Sequence, residues 1–387
     1  MLGGDSSMST TLKDVFITRV SSILPNAPIT NEEMESRLGM IDGNASRAKN
    51  IVLRNNGIRK RYYAMDAEGN ITHTNAQLAA AAVKALTGRG VEEKDLGLLA
   101  AGTSAPDQML PPHASEVHGL LSHNLEVMSP SGACSAGMQA MKYAYMSVAT
   151  GSTNAAVCVA SELISPLMRA SNYETETERY RQLEQDPIIG FEKEFLRWML
   201  SDGAGAMLLE PAPRGECDLK IEWMVSRSFA NELEACMYLG AEKGEDGGII
   251  SWKKFTPEQY AGESLFTFKQ DVKILSKNIV TVGVKWLAEV MREKGLAASE
   301  VDFFMPHLSS NFFKSKVAEE LEAQGIPVPE ERWFLNLSEV GNVGSASIYL
   351  MVHDLVKSGR LKKGQKILLM VPESARFSYA FALLTVV

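Results

Sequence analysis

The chain has 387 residues, 45% of them hydrophobic and 22% charged, with a formal net charge of −8. That length exceeds one typical core and suits two domains, and the composition is that of an ordinary soluble globular protein. The acidic balance excludes a nucleic-acid footprint, and no apolar run reaches the roughly 20 residues that span a bilayer.

Read in chain order, the polar, Gly/Ser-rich stretch Met1–Thr11 lacks the apolar segment of a signal peptide, and Met8 is a candidate alternative initiator. Ala80–Ser104 reads as a helix, a turn with a short acidic segment, and a buried strand ending in small polar residues. From Gly132 to Glu162 come small residues, an amphipathic helix, Gly151 and the apolar strand Ala155–Ala160. Ser171–Asp186 is polar, Pro187–Leu200 is apolar and aromatic, and the two form an expected insertion (about 168–200) with a helix at Phe191–Leu200. Pro211–Gly215 is turn-rich and marks the expected boundary between an N-terminal half, 12–212, and a C-terminal half, 213–387. The earlier pattern then returns. Val282–Ser309 repeats helix, turn and strand (Val301–Met305), followed by a helix around Phe312–Leu321. Gly341–Glu373 repeats small residues, helix, turn and strand (Lys366–Val371). Agreement over two consecutive units points to two copies of one α/β unit.

In this register His307 stands near the position of Ser104, and Asn342 near that of Cys134. A pseudo-twofold would gather Cys134, His307 and Asn342 where the halves meet. Small residues flank Cys134 and a helical pattern follows it. That places the thiol near a helix N-terminus, where the dipole is expected to favour thiolate. A lone cysteine is ordinarily a small core residue, and Cys158, in the middle of an apolar strand, reads that way. Cys217 and Cys236 have no catalytic context, and no cysteine pair has metal-ligating CxxC spacing. A reduced, cytoplasmic protein with free thiols is the simplest reading. His307 follows a strand's C-terminal edge and Asn342 lies between glycines. Each alone reads as a turn residue, and their equivalence through the repeat is what singles them out. His113, His118 and His123, five apart, scatter around a helix and form no metal face.

These segments resemble the thiolase superfamily, specifically the beta-ketoacyl-acyl-carrier-protein synthase III group, from about Val15 onward. Asn56-Gly57-Ile58-Arg59-Lys60-Arg61 is similar to the family's Thr-Gly-Ile-Arg-Glu-Arg segment. Gly102–Asp107 and Asp202–Ala206 also match. Cys134-Ser135, Pro306-His307 and Gly341-Asn342 stand where the family has its Ala-Cys-Ser-Gly, Pro-His-Gln-Ala-Asn and Gly-Asn-Thr-Ser segments. The resemblance implies a duplicated, five-layered αβαβα fold, normally a homodimer. It implies an acyltransferase that forms a carbon–carbon bond in fatty-acid, lipid or polyketide biosynthesis. Cys134 would carry the acyl group, while His307 and Asn342 would stabilise the enolate of a second thioester. The substrates would be acyl thioesters of coenzyme A or acyl carrier protein, with no metal or redox cofactor.

The chain departs from that family at several positions. The family's glycine-rich C-terminal loop is here Val371–Phe377 without glycine. Ala375 falls nearest the backbone oxyanion donor, and Glu373 and Arg376 add charge. Ile51 and Asn55 stand where the family has coenzyme A-contacting Trp and Arg, with Arg54 adjacent. Phe312 replaces a basic residue, leaving Lys314 and Lys316 to meet an acidic carrier protein on a locally basic patch. Such departures resemble secondary-metabolism relatives, among them the group that condenses two acyl thioesters toward dialkylresorcinols. Acyl transfer to oxygen or nitrogen, and a non-catalytic partner subunit of a heterodimeric synthase, are the alternatives.

Overall fold

The computed structural model describes residues 12–46, 49–173 and 195–387. Among these, nine strands join into one sheet: β1 (Phe16–Ile23), β2 (Leu98–Gly102), β3 (Glu126–Met128), β4 (Ala156–Glu162), β5 (Gly203–Glu210), β6 (Leu219–Ser228), β7 (Phe303–Pro306), β8 (Lys366–Glu373) and β9 (Ser378–Val386). Their order is β7-β8-β9-β6-β1-β5-β4-β2-β3. Six helices cover them: α1 (Asn75–Lys84), α2 (His113–His118), α3 (Ala136–Ala149), α4 (Val272–Glu293), α5 (Phe312–Ala323) and α6 (Ser347–Lys357).

The sheet contains the same ladder twice. β2 and β4 are parallel, β4 and β5 antiparallel, β5 and β1 antiparallel. Likewise β7 and β8 are parallel, β8 and β9 antiparallel, β9 and β6 antiparallel. The copies meet in a short seam, where Phe16 faces Lys220 and Ile17 faces Leu219.

Strand alternation turns this ladder into layers, because successive side chains leave opposite faces. On β4, Ala156, Cys158 and Ala160 enter a central core with α3 and α6, while Val157 and Val159 pack on α1 and α2. On β8, Ile367, Leu369 and Val371 enter that same central core, while Leu368 and Met370 pack on α4 and α5. The result is five layers: α1/α2, the first half-sheet, α3/α6, the second half-sheet, α4/α5. Both faces of each central strand are buried, so these strands read as unbroken apolar runs.

Local sequence sets the helix starts. Thr74 caps α1 in a reciprocal box with Gln77, and Asp271 caps α4 by accepting from the Ile274 N–H at 2.9 Å. The central layer packs unusually closely. A Cβ on Gly137 would lie 2.4 Å from the Ser345 carbonyl oxygen, and one on Gly205 would lie 2.5 Å from the Tyr349 Cβ.

The expected helix Phe191–Leu200 is corrected where it is described. Leu196–Trp198 is a single 3-10 turn closed by a Met199 N–H to Leu196 bond, and Leu200 bridges to Asn342. Its buried Arg197 donates to the Met168, Leu38 and Gly39 carbonyls, tying this stretch into the core. The rest of the expected insertion, residues 174–194, lies outside the described residues. Pro211–Gly215 forms the connection between β5 and β6.

Candidate active site

Cys134 lies two positions before the first residue of α3, with Ser135 as the N-cap, and is half-buried. His307 follows β7 directly, its N–H donating to the Met370 carbonyl at 2.8 Å, and is buried. The two line one open cavity of about 510 Å³, counting the space at its mouth. The rest of its wall is largely apolar: Leu275, Ile279 and Val280 from α4, Phe313 and Val317 from α5, and Met370 and Pro372 from β8. Of the three groups expected to meet, the thiol and the imidazole share this cavity.

Asn342 is not among the residues lining that cavity. It is buried before α6, where its N–H donates to the Met199 carbonyl and its own carbonyl accepts from the Ser201 N–H. Its side-chain oxygen accepts from the Gly344 N–H at 3.0 Å. Gly341, its neighbour, lines an adjoining recess of about 210 Å³ together with Pro306, His307 and Leu308. His307 therefore stands between two spaces, one shared with Cys134 and one bordered by the asparagine's turn.

The electrostatics correct one expectation. The thiol was expected to be shifted toward thiolate by the helix start. Instead burial pushes the Cys134 thiol up, and the carboxylates of Glu373 and Glu162 add to the effect. Burial also holds the His307 imidazole down to about 4, so it is neutral near pH 7. Its Nε2 is buried without a hydrogen-bond partner among the described residues. Unpaired buried polar atoms are rare in folded proteins.

The remaining candidates are placed as follows. The Ala375 carbonyl accepts from the Cys236 and Met237 N–H groups, and the cavity wall at this turn is formed by Pro372 and Ser374. Arg54 is exposed on the short helix Lys49–Asn56. Lys314 pairs with Glu330 at 2.6 Å, so its charge is already engaged. Lys316 lies 4.3 Å above the ring of the exposed Phe312 and donates to Ser276 Oγ. Both lysines belong to α5, the helix that lends Phe313 and Val317 to the cavity.

Sequence reasoning missed what Glu373 and Glu162 do. Glu373 Oε2 accepts from the Ala133 N–H at 3.0 Å, the Ser135 N–H at 3.1 Å and the Ser135 hydroxyl. Glu162, fully buried at the end of β4, accepts from Ser104 of one half and Ser345 of the other. A charged residue closing an otherwise apolar strand was the available signal in both cases.

Comparison with known proteins agrees with this architecture. Residues 291–384 match the family described as 3-oxoacyl-acyl-carrier-protein (ACP) synthase III, C terminal. Over 359 residues the chain is 24% identical to the beta-ketoacyl-acyl-carrier-protein synthase III of Rhizorhabdus wittichii, covering 92% of this chain and 95% of that one. A tetronic acid condensing enzyme superposes with a TM-score of 0.75 at 21% identity, covering 96% of this chain and 99% of the other. OleA of Xanthomonas campestris, solved with bound lauric acid and lauroyl-CoA, gives 0.70 at 20% identity, covering 97% and 99%. The chain thus has the fold of these condensing enzymes, and its C-terminal segment matches the synthase III family.

Proposed function

We propose that this protein is an acyl-thioester condensing enzyme, with Cys134 as acyl carrier and His307 and Asn342 as hydrogen-bond donors to a second thioester. The observation that carries this reading is the pairing of the Cys134 thiol with a neutral imidazole, its Nε2 unpaired, in one largely apolar cavity. An apolar wall suits a hydrocarbon chain. The lauroyl-CoA complex of OleA is consistent with such a substrate.

In the first half-reaction the Cys134 sulfur attacks the thioester carbonyl, the carrier thiol leaves, and the thiol proton passes to it. In the second, a second carrier-bound thioester loses carbon dioxide, or gives up an α-proton to solvent. His307 Nε2–H and the Asn342 amide then hold the enolate oxygen with neutral, fixed donors. The carbanion attacks the acyl carbonyl, and the cysteine thiolate leaves and is reprotonated. Carriers are coenzyme A or an acidic acyl carrier protein, the latter approaching α5 beside Lys316 and Phe312. The functional unit is a homodimer, its interface including the exposed Val127 of the edge strand β3.

Intact-protein mass spectrometry after incubation with acyl-CoA tests this. Wild type gains one acyl mass and Cys134→Ala gains none. His307→Ala and Asn342→Ala keep the adduct but release no carbon–carbon product. An adduct on Cys134→Ala, or none on wild type, overturns the reading.

A further inference from the structure

We propose that Glu373 is the positioning residue of the nucleophile: its carboxylate fills the amide cradle on either side of Cys134 and sets how readily that thiol reacts. The proposal rests on Cys134 being the acyl acceptor.

Glu373 is the last residue of β8, paired with Ser378 across the turn to β9, and is buried. From the C-terminal half it crosses to the other half and receives three donors on one oxygen: the Ala133 N–H, the Ser135 N–H and the Ser135 hydroxyl. Gln139 Nε2 donates to the Ser135 hydroxyl oxygen at 3.1 Å, and Ser378 Oγ lies 3.3 Å from it, so the clamp is itself held. The two amides flank Cys134 in sequence, immediately before α3. Free N–H groups at such a helix start would otherwise favour a thiolate. Here a carboxylate occupies the Ser135 N–H at the N-cap and the Ala133 N–H before it, so negative charge sits at the helix start beside the sulfur.

Few other charges act on this thiol. The titratable groups facing it are Glu373 from β8, Glu162 from β4 and His307 after β7, while α4 and α5 contribute only apolar chains to the shared cavity. Glu162 is engaged by Ser104 and Ser345 and is not bonded to the nucleophile's turn. His307 is held neutral by burial. Glu373 thus has two effects, which substitution can separate. Its hydrogen bonds fix the backbone on both sides of the sulfur, and its negative charge keeps the resting cysteine a thiol.

The test is the pH dependence of Cys134 alkylation by iodoacetamide, followed by peptide mass spectrometry so that the exposed Cys217 does not interfere. Glu373→Gln keeps the shape and removes the charge. Its profile is expected to move to lower pH, and a move of one unit makes alkylation about ten-fold faster below the midpoint. Ser135→Ala removes one donor and keeps the charge, and should shift the profile far less. An unmoved Glu373→Gln profile, or an equal shift in Ser135→Ala, overturns the proposal. Should Glu373→Gln not fold, Glu373→Asp keeps the charge with a shorter reach. It should hold the wild-type profile while acylation slows through kcat, and wild-type acylation in that variant overturns the proposal as well. Acyl transfer is scored separately by intact mass. A Cys134 that alkylates as described but never acylates refutes the condensing reading and with it the nucleophile's role, while the influence of Glu373 on the thiol is read from alkylation alone.

Discussion

Glu162 Oε1 accepts the Ser345 N–H at 3.0 Å, while its other oxygen accepts the Ser104 hydroxyl at 2.7 Å. Ser104 follows β2 and Ser345 precedes α6, so one fully buried carboxylate joins a strand end of one half to a helix start of the other. These bonds lower its proton affinity, yet burial outweighs them and raises its pKa above 4.5.

The folded protein therefore binds this proton more readily than the unfolded chain does. The stability gained is complete below about pH 4.5 and is lost as pH rises through the raised value. Glu162→Gln, which cannot ionise, should compare more favourably with wild type at pH 8 than at pH 5. Urea unfolding at the two pH values measures this, and an unchanged difference counts against a buried charge.

The histidines act in the opposite direction. Burial holds both His307 and His113 down to about 4, from 6.5. Stability contributed above pH 6.5 is lost as pH falls through about 4, by about 3 kcal/mol for each group. His113→Gln should remove its share of that acid sensitivity in a pH series of thermal unfolding. For the same reason, condensation should show no histidine ionisation between pH 5 and 8.

Val317 and Phe313 form the α5 wall of the cavity opposite Ile279 and Val280. Val317→Trp should fill the space available to a hydrocarbon chain. We expect kcat/KM for long acyl-CoA to fall about ten-fold or more while a short acyl chain is largely spared. Equal losses for both lengths, measured in parallel, would place the chain elsewhere.

Gly137 opens the first turn of α3 against Ser345. Gly137→Ala places a methyl 2.4 Å from a backbone carbonyl oxygen and 2.9 Å from the Ala160 Cβ. Overpacking of this kind costs about 1–3 kcal/mol, enough to lower the melting temperature by several degrees. A melting temperature at or above wild type would show that the central layer can yield.

Much of this was legible in the chain. The strand read at Ala155–Ala160 is β4, extended to Glu162, and the strand read at Lys366–Val371 is β8, extended to Glu373. Apolar runs stood out because both faces of these strands are buried. Both strand ends were missed for one reason: each terminates in a glutamate, which reads as the beginning of a loop. Only the fold supplies the buried donors that make those glutamates part of the strand. Ala133 and Glu373 are 240 positions apart, a distance no local pattern spans. The thiol's environment was misjudged for the same cause. The helix start after Cys134 is visible in sequence, whereas burial and two distant carboxylates are not. The cavity wall from α4 was likewise hidden, since Leu275 and Ile279 read only as one helix's apolar face.

The close seat between α3 and α6 divides the molecule into parts with unequal freedom to vary. Gly137 and Gly205 leave no space for an added methyl, and Tyr349 locks the two central helices by donating to the Gly137 carbonyl at 2.8 Å. The outer helices α4 and α5 face the cavity on one side and solvent on the other, tied by the exposed bond from Lys316 to Ser276. Drift in chain length or branching preference can therefore accumulate along that outer wall, while the hub that aims the sulfur stays incompressible.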